Sequence, residues 1–129
     1  MKLIRLPRHQ HPKPPHHELR QKRVLDIEGR LIGQIENLYV DDDGQLQFVD
    51  VVTSGFLGLG TNHHLVPVEV IAEEGAGSIR LVADQQEVES TPTYATPHSG
   101  PDEELQDTTR EILRTLSREV RSDFFPNVG

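Results

Sequence analysis

Residues 24–71 read VLDIEGRLIGQIENLYVDDDGQLQFVDVVTSGFLGLGTNHHLVPVEVI, and this stretch decides the fold. Short runs rich in Val, Ile and Leu alternate with Gly-containing turns, a pattern typical of short β-strands joined by tight connections. Asp43-Gly44 lies between two apolar runs and is a strong hairpin signal, because both residue types tolerate the positive φ angles of such turns. The stretch therefore predicts a small, mainly β domain.

Strands are predicted on both sides of this hairpin and further along the chain. They cover residues 24–27, 31–40, 46–53, 63–66 and 79–83. The alternation in the second strand breaks at Glu36-Asn37, so we expect a β-bulge there. Residues 68–72 are expected to form a short turn that closes one end of the β domain. Asp84 and Glu87 have the spacing of a capping box and predict a short helix.

The two ends of the chain differ from this apolar middle. Residues 1–20 are rich in His and Pro, and we predict a flexible arm because proline blocks helix formation. Up to Arg23 the chain carries seven basic residues and one acidic residue, within a chain of net charge −8. The predicted division is an arm (1–20), a β domain (21–94), a linker (95–100) and a helical segment (101–125).

Residues 101–122 carry the clearest helical pattern. Pro101 suits a first helical position, acidic residues follow it, and arginines occupy the second half, as the helix dipole favours. Apolar residues recur at helical spacing and form a stripe that must pack on its own domain, a second copy or a partner. With the Phe-Leu pair of the Gly-rich loop, the candidate interaction residues are Phe56, Leu57, Leu105, Ile112, Leu116, Val120, Phe124 and Phe125.

Two loops superficially resemble ligand-binding motifs. The Gly-rich segment 55–60 lacks a following helix whose N-terminus would meet a phosphate, and no Walker lysine is present, so we interpret it as a structural corner. The acidic tip at 41–43 lacks the acid spacing of an EF-hand, since Tyr39 occupies the first ligand position. We interpret it as a solvated hairpin tip.

The histidines are the remaining candidates for chemistry. Those of the arm are expected to bind metal only adventitiously, because the arm is mobile and offers only Glu18 as a carboxylate. His63 and His64 lie on opposite faces of one strand, so only one of them can face a given ligand. No nucleophile-elbow sequence accompanies them. We therefore predict no catalytic residues, no metal site and no cofactor.

Composition limits the setting. The chain contains no Cys, which excludes disulfides and thiolate metal sites and is compatible with a cytoplasmic location. Nothing approaches the roughly 20 apolar residues of a membrane-spanning helix. A cytoplasmic protein without a membrane span is therefore expected.

Several segments together resemble the PRC-barrel family over about residues 22–94. The resemblance rests on the order and spacing of Gly29 with Ile32-Gly33, Val40-Asp41, Gly55-Phe56-Leu57-Gly58, Val66-Pro67-Val68 and Gln86-Glu87-Val88-Glu89. It implies a small, strongly bent β-barrel of five to six strands that serves mostly as a protein-contact surface. No catalytic residue transfers from the family, because it has no general catalytic motif.

These observations predict a non-enzymatic, prokaryotic adaptor or assembly module that binds a protein partner and forms a homodimer. The apolar stripe and the two C-terminal phenylalanines are expected to provide its contact surface. The first alternative is an RNA- or ribosome-associated factor that uses the basic arm. Nucleic acid is the less favoured partner, because the arm has no aromatic residue for base stacking. The second alternative is a metal- or pH-responsive histidine module.

Overall fold

The computed structural model describes residues 2–14, 19–54, 60–94 and 101–124, and for residues 54 and 114–124 it describes the backbone only. These residues contain seven strands and two α-helices. The strands are β1 (Ile4–Arg5), β2 (Arg23–Leu25), β3 (Leu31–Val40), β4 (Leu46–Ser54), β5 (Thr61–Pro67), β6 (Ile71–Glu74) and β7 (Ser78–Leu81). The helices are α1 (Gln85–Glu89) and α2 (Glu103–Phe124). The predicted mainly β fold with a C-terminal helix is confirmed.

All seven strands belong to one sheet. Its order is β5-β4-β3-β2-β7-β6, and β1 pairs with β3 beside β2. Neighbouring strands are antiparallel except β2 and β7, which run parallel with Val24 opposite Ile79. The path begins at β5 and ends at β6 without a pairing between these two strands. The sheet is therefore an incompletely closed barrel.

The path through the sheet contains six strands, as the predicted five to six allow, and β1 from the N-terminal segment is additional. Residues 68–72 were predicted to form one turn, but only Val68–Val70 form a 3₁₀ turn and β6 follows at once. The side chains of β6 are half-buried or exposed, so this short edge strand has no apolar alternation to reveal it. Strand β5 begins two residues earlier than predicted and includes Pro67, which pairs with Phe48 at the strand end.

Strand β3 has a pairing irregularity and a close approach to β4 at two points that the sequence marks. The register with β4 shifts between Ile35 and Asn37, which leaves Glu36 unpaired and confirms the predicted bulge. At Gly33 the backbone of β4 comes so close that an added Cβ would collide with the Val52 carbonyl oxygen. Only Gly fits such an approach without displacing a strand.

Apolar side chains form two clusters of buried residues. The main core lies on one face of the sheet and includes side chains from most strands and from both helices; its fully buried members include Val24, Leu38, Val49, Val51, Val66, Leu81, Val88 and Leu113. The second core consists of Leu3, Tyr39, Phe48 and Leu65, with Tyr94 and Leu105 packed against it. Tyr39 and Phe48 are directly opposite each other on β3 and β4, which places the second core on the other face of these strands.

Asp26 connects the β2–β3 turn to α1. Its buried carboxylate accepts hydrogen bonds from the backbone N–H groups of Glu28 (3.0 Å), Arg30 (2.9 Å) and Gln85 (3.2 Å), and from Arg30 Nε (3.1 Å). Burial raises the pKa of Asp26, but the hydrogen bonds from Arg30, Glu28 and Gln85 outweigh it, so the pKa lies below its usual value. The charged carboxylate is thus the form that the fold stabilises.

Both helices are capped by an aspartate. Asp84 accepts from Glu87 N at 2.8 Å, and the Glu87 side chain accepts from Asp84 N, so the predicted capping box is confirmed. Helix α2 begins at Glu103, two residues after the predicted start, because the Asp102 carboxylate accepts from Leu105 N at 2.8 Å. Within the part of the chain that the structure describes, no helix has the length and apolar character needed to cross a membrane.

The N-terminal segment, predicted to be a flexible arm, is partly docked on the β domain. Ile4 and Arg5 pair with Val40 and Tyr39 of β3, and Leu3 is buried in the second core. The Arg20 guanidinium donates to the carbonyl oxygens of Leu6 (3.1 Å), Pro7 (2.7 Å) and Gln10 (2.5 Å) and so holds the segment in place. This segment contains too few apolar residues to predict a strand from the sequence. It nevertheless adds β1 to the sheet by pairing with β3.

Candidate functional site

Helix α2 packs along β5, and its described side chains show where the predicted stripe goes. Leu105 contacts the second core, whereas Ile112 packs against the main core. Leu113, the neighbour of the stripe, is fully buried. The first half of the stripe therefore packs on the β domain of its own chain.

The remaining candidate interaction residues lie beyond what the structure describes in full. Phe56, Leu57 and Phe125 are outside the described residues, and of Leu116, Val120 and Phe124 only the helical backbone is described. Their role as contact residues stays a prediction.

A polar network surrounds Asp50 on the face of the sheet that carries the second core. The Asp50 side chain is fully buried, and its carboxylate accepts a hydrogen bond of 2.7 Å from Asn37 Nδ2. His63 Nδ1 lies 3.0 Å and 2.9 Å from the two carboxylate oxygens. These three side chains come from β3, β4 and β5, so the network crosses three neighbouring strands.

Two tyrosines close one side of this network. The Tyr94 hydroxyl donates to the Tyr39 hydroxyl at 3.3 Å, and the Tyr94 ring meets the His63 ring edge-on with 6.0 Å between centroids. Burial raises the pKa of Tyr94, and the Asp50 carboxylate raises it further. Burial likewise raises the pKa of Tyr39. Both phenols therefore remain neutral around Asp50 at physiological pH.

The bulge in β3 adds a second carboxylate to this site. Glu36 and Asn37 together oppose Asp50, and in a β-bulge of this kind both side chains lie on the same side of the sheet. Glu36 is exposed, and one ligand atom each of Glu36, Asp50 and His63 lies within 4.8 Å of the others. These three residues form the described group best suited to hold a metal ion.

His64 has a different environment, as the alternation of the strand predicted. It is buried on the opposite face, where Nδ1 lies 2.9 Å from Thr91 Oγ1. Thr91 Oγ1 donates its own hydrogen to the Val88 carbonyl at 2.6 Å, so His64 Nδ1 carries a hydrogen and donates to Thr91. Burial lowers the pKa of His64, which favours a neutral, structural imidazole.

The docked N-terminal segment also creates a basic cavity. A space of about 480 Å³ is lined by Arg8, His11, Arg20, Gln21, Lys22, Ala76 and Gly77. Burial lowers the pKa of Arg20, and the nearby Arg8 guanidinium lowers it further. The cavity is therefore positively charged, although the whole chain has a net charge of −8. A positive charge of this kind suits an anionic group.

A family model for the PRC-barrel domain matches residues 15–92, which is more than half of the chain. The chain belongs to the PRC-barrel family. The matched range contains β2 to β7 and α1, whereas β1 and α2 lie outside it. None of the curated proteins matches the chain.

The PRC-barrel domain thus carries its polar network within the matched range, and sequence reasoning missed the central residue. Asp50 is not among the residues that the sequence patterns singled out. The available signal was its place inside the run Phe48-Val49-Asp50-Val51, where a charged residue shares a face with Phe48 and needs a partner if it is buried. His63, two strand positions from Leu65, supplies that partner from β5.

Proposed function

We propose that this PRC-barrel protein is a non-enzymatic assembly module that binds a second copy of itself through the second half of α2. The observation that carries the proposal is the apolar stripe of α2. It packs on the β domain at Leu105 and Ile112, and the sequence continues it at helical spacing through Leu116, Val120 and Phe124. A cytoplasmic location remains part of this proposal.

The length of α2 supports the same reading. Its 22 residues extend roughly 33 Å at 1.5 Å per residue. The most extensive described contacts of the helix are made with β5, α1 and the 3₁₀ turn at 68–70. A second copy would offer the continuing stripe a matching apolar surface, because a twofold axis brings identical stripes together.

The expected strength follows from the side chains involved. Burying Leu116, Val120 and Phe124 from two chains contributes roughly 12 kcal/mol, at about 2 kcal/mol for each side chain. Association costs at least about 4 kcal/mol in lost translational and rotational freedom. The difference, at most about 8 kcal/mol, corresponds to a dimer with micromolar affinity at best.

Sedimentation equilibrium from low to high micromolar concentration tests this proposal. We expect a monomer–dimer equilibrium that Leu116→Asp shifts to monomer. Ser122→Asp places the same charge on another side of the same helix and serves as the matched control. A wild-type protein that stays monomeric throughout, or equal effects of both substitutions, would refute self-association through this stripe.

A second candidate function is association with RNA, and the basic cavity is the observation that favours it. Residues Arg8, Arg20 and Lys22 bring positive charge together where a phosphate group could be neutralised. Deleting residues 1–20 is a poor test, because the deletion also removes β1 and the buried Leu3.

Charge substitutions in the intact chain test the RNA candidate more cleanly. The double variant Arg8→Gln/Lys22→Gln should weaken binding of a labelled single-stranded RNA and reduce the salt dependence of its affinity. Lys13→Gln removes one charge from the same segment outside the cavity and is the control. RNA affinity that is the same in all three proteins would exclude this site.

A further inference from the structure

Glu36, Asp50 and His63 bring two carboxylates and one imidazole together from three neighbouring strands. We propose that they bind a divalent transition-metal ion of the Zn²⁺ class. Imidazole nitrogen with carboxylate oxygens is a donor set that suits Zn²⁺ and its first-row neighbours. Ca²⁺ and Mg²⁺ prefer oxygen ligands alone and more of them, so His63 argues against these ions.

The distances are close to those that a metal ion requires. Bonds of about 2.0–2.1 Å in tetrahedral geometry separate neighbouring ligand atoms by about 3.3 Å. His63 Nδ1 and the Asp50 oxygens are already 2.9–3.0 Å apart. The three ligand atoms lie within 4.8 Å of one another, so only a movement of about 1.5 Å is needed. The exposed Glu36 side chain can make it without disturbing the core.

The surroundings hold two of the ligands in position before a metal ion arrives. Asn37 donates to one Asp50 oxygen at 2.7 Å, which fixes the carboxylate plane. The Tyr94 ring packs edge-on against His63 and limits rotation of the imidazole. Hydrogen bonds and packing around the ligands are a common feature of metal sites, because they orient the ligands and adjust their basicity.

The β-bulge explains how the third ligand, Glu36, reaches the same face as Asp50. In a regular strand, the residue before Asn37 would point to the main core, away from Asp50. The extra residue at Glu36 instead places its side chain beside Asn37, opposite Asp50. The bulge therefore brings a carboxylate to a face that it would otherwise not reach.

Binding would exchange one hydrogen bond for metal–ligand bonds. In the absence of metal, His63 Nδ1–H donates to the Asp50 carboxylate. Coordination through Nδ1 requires the tautomer with hydrogen on Nε2, and Asp50 then binds the ion in place of the N–H group. The ion would link β3, β4 and β5, so metal binding should stabilise the folded protein.

Titration calorimetry with Zn²⁺ as the only added ligand tests the proposal. The arm histidines must first be removed as a source of adventitious binding, with His9, His11, His16 and His17 all replaced by Gln. In this background we compare Glu36→Gln and His63→Gln with two controls, Glu28→Gln and His98→Gln. Far-UV circular dichroism checks that each variant is folded.

We expect the background protein to bind one Zn²⁺ per chain and to unfold at a higher temperature when Zn²⁺ is present. Glu36→Gln and His63→Gln should each weaken binding at least tenfold, whereas the two controls should leave it unchanged. Substitution with Co²⁺ should give visible absorption bands that Glu36→Gln alters. Binding weaker than about 100 μM in the background protein, or unchanged affinity in Glu36→Gln, would overturn the proposal. Because Glu36 is exposed, its variant decides the question even if His63→Gln does not fold.

Discussion

Asp26→Asn tests how much one buried carboxylate stabilises the PRC-barrel domain. The substitution keeps the shape of the side chain but replaces one acceptor oxygen by an NH₂ group. Oδ1 still accepts from Glu28 N and Arg30 N, whereas the new group faces two donors, Arg30 Nε and Gln85 N. The exposed Arg30 side chain can turn to water, but Gln85 N is at the start of α1 and loses its acceptor.

The expected cost follows from these bonds. Losing a charge-assisted hydrogen bond costs about 1.5–3 kcal/mol, and an unsatisfied buried N–H adds about 1–3 kcal/mol. We therefore expect a loss of about 3 kcal/mol in the free energy of unfolding. With a urea m-value of about 1.5 kcal/mol per M for a domain of this size, the midpoint should fall by about 2 M.

Urea unfolding at pH 7, followed by circular dichroism, measures this shift, with Glu28→Gln on the same turn as the matched control. Because the folded-state pKa of Asp26 is lowered, its contribution is present above about pH 4 and disappears as pH falls through the folded-state pKa. The difference between wild type and variant should therefore shrink as pH falls below about 4. A midpoint shift no larger than that of Glu28→Gln at pH 7 would refute the reasoning.

Three further predictions concern the core and the tyrosines. Gly33→Ala should destabilise the domain by about 2 kcal/mol, since its Cβ would collide with the Val52 carbonyl and push β3 from β4; a melting temperature within 2 °C of wild type would contradict this. Leu113→Ala should cost about 2–5 kcal/mol by leaving a cavity beneath α2, and hydrogen exchange should accelerate first in that helix; a uniform acceleration would show that α2 is not a separate unit. The pKa values of Tyr39 and Tyr94, the two tyrosines of the chain, are raised, so stability should fall as pH rises above about 10, where unfolded tyrosine ionises. Absorbance at 295 nm should then rise together with unfolding, and phenolate formation in the folded protein near pH 10 would show that the rings are more exposed than described.

Local chemistry in the sequence was sufficient to predict much of the fold. The Asp43-Gly44 hairpin is present, with Gly44 at a φ of 80°. The bulge at Glu36 and the capping box of α1 also lie where the alternation and the Asp84–Glu87 spacing placed them. Each of these features depends on residues within a few positions of one another, which is why a single sequence contains the signal.

Features that depend on distant residues were missed. Strand β6 is short and half-exposed and exists because β7 pairs with it, and β1 forms on an edge that β3 leaves open. The Asp50 network combines side chains that are far apart in sequence, and only the register of β3, β4 and β5 shows that they meet. The break in alternation was sufficient to predict the bulge. That the bulge places the Glu36 side chain opposite Asp50 is known only from the pairing of β3 with β4.

The parallel pairing of β2 with β7 has a consequence for the order of folding. The β3–β4 and β4–β5 hairpins join neighbouring segments and can form as soon as those segments exist, because closing short loops costs little entropy. Strand β2 precedes these hairpins, yet it finds its second neighbour only when β7 has been synthesised. During translation, one edge of β2 therefore remains unpaired until β7 has been synthesised. If translation stalls before residue 78, the nascent chain lacks β7. The unpaired edge of β2 can then pair with another chain.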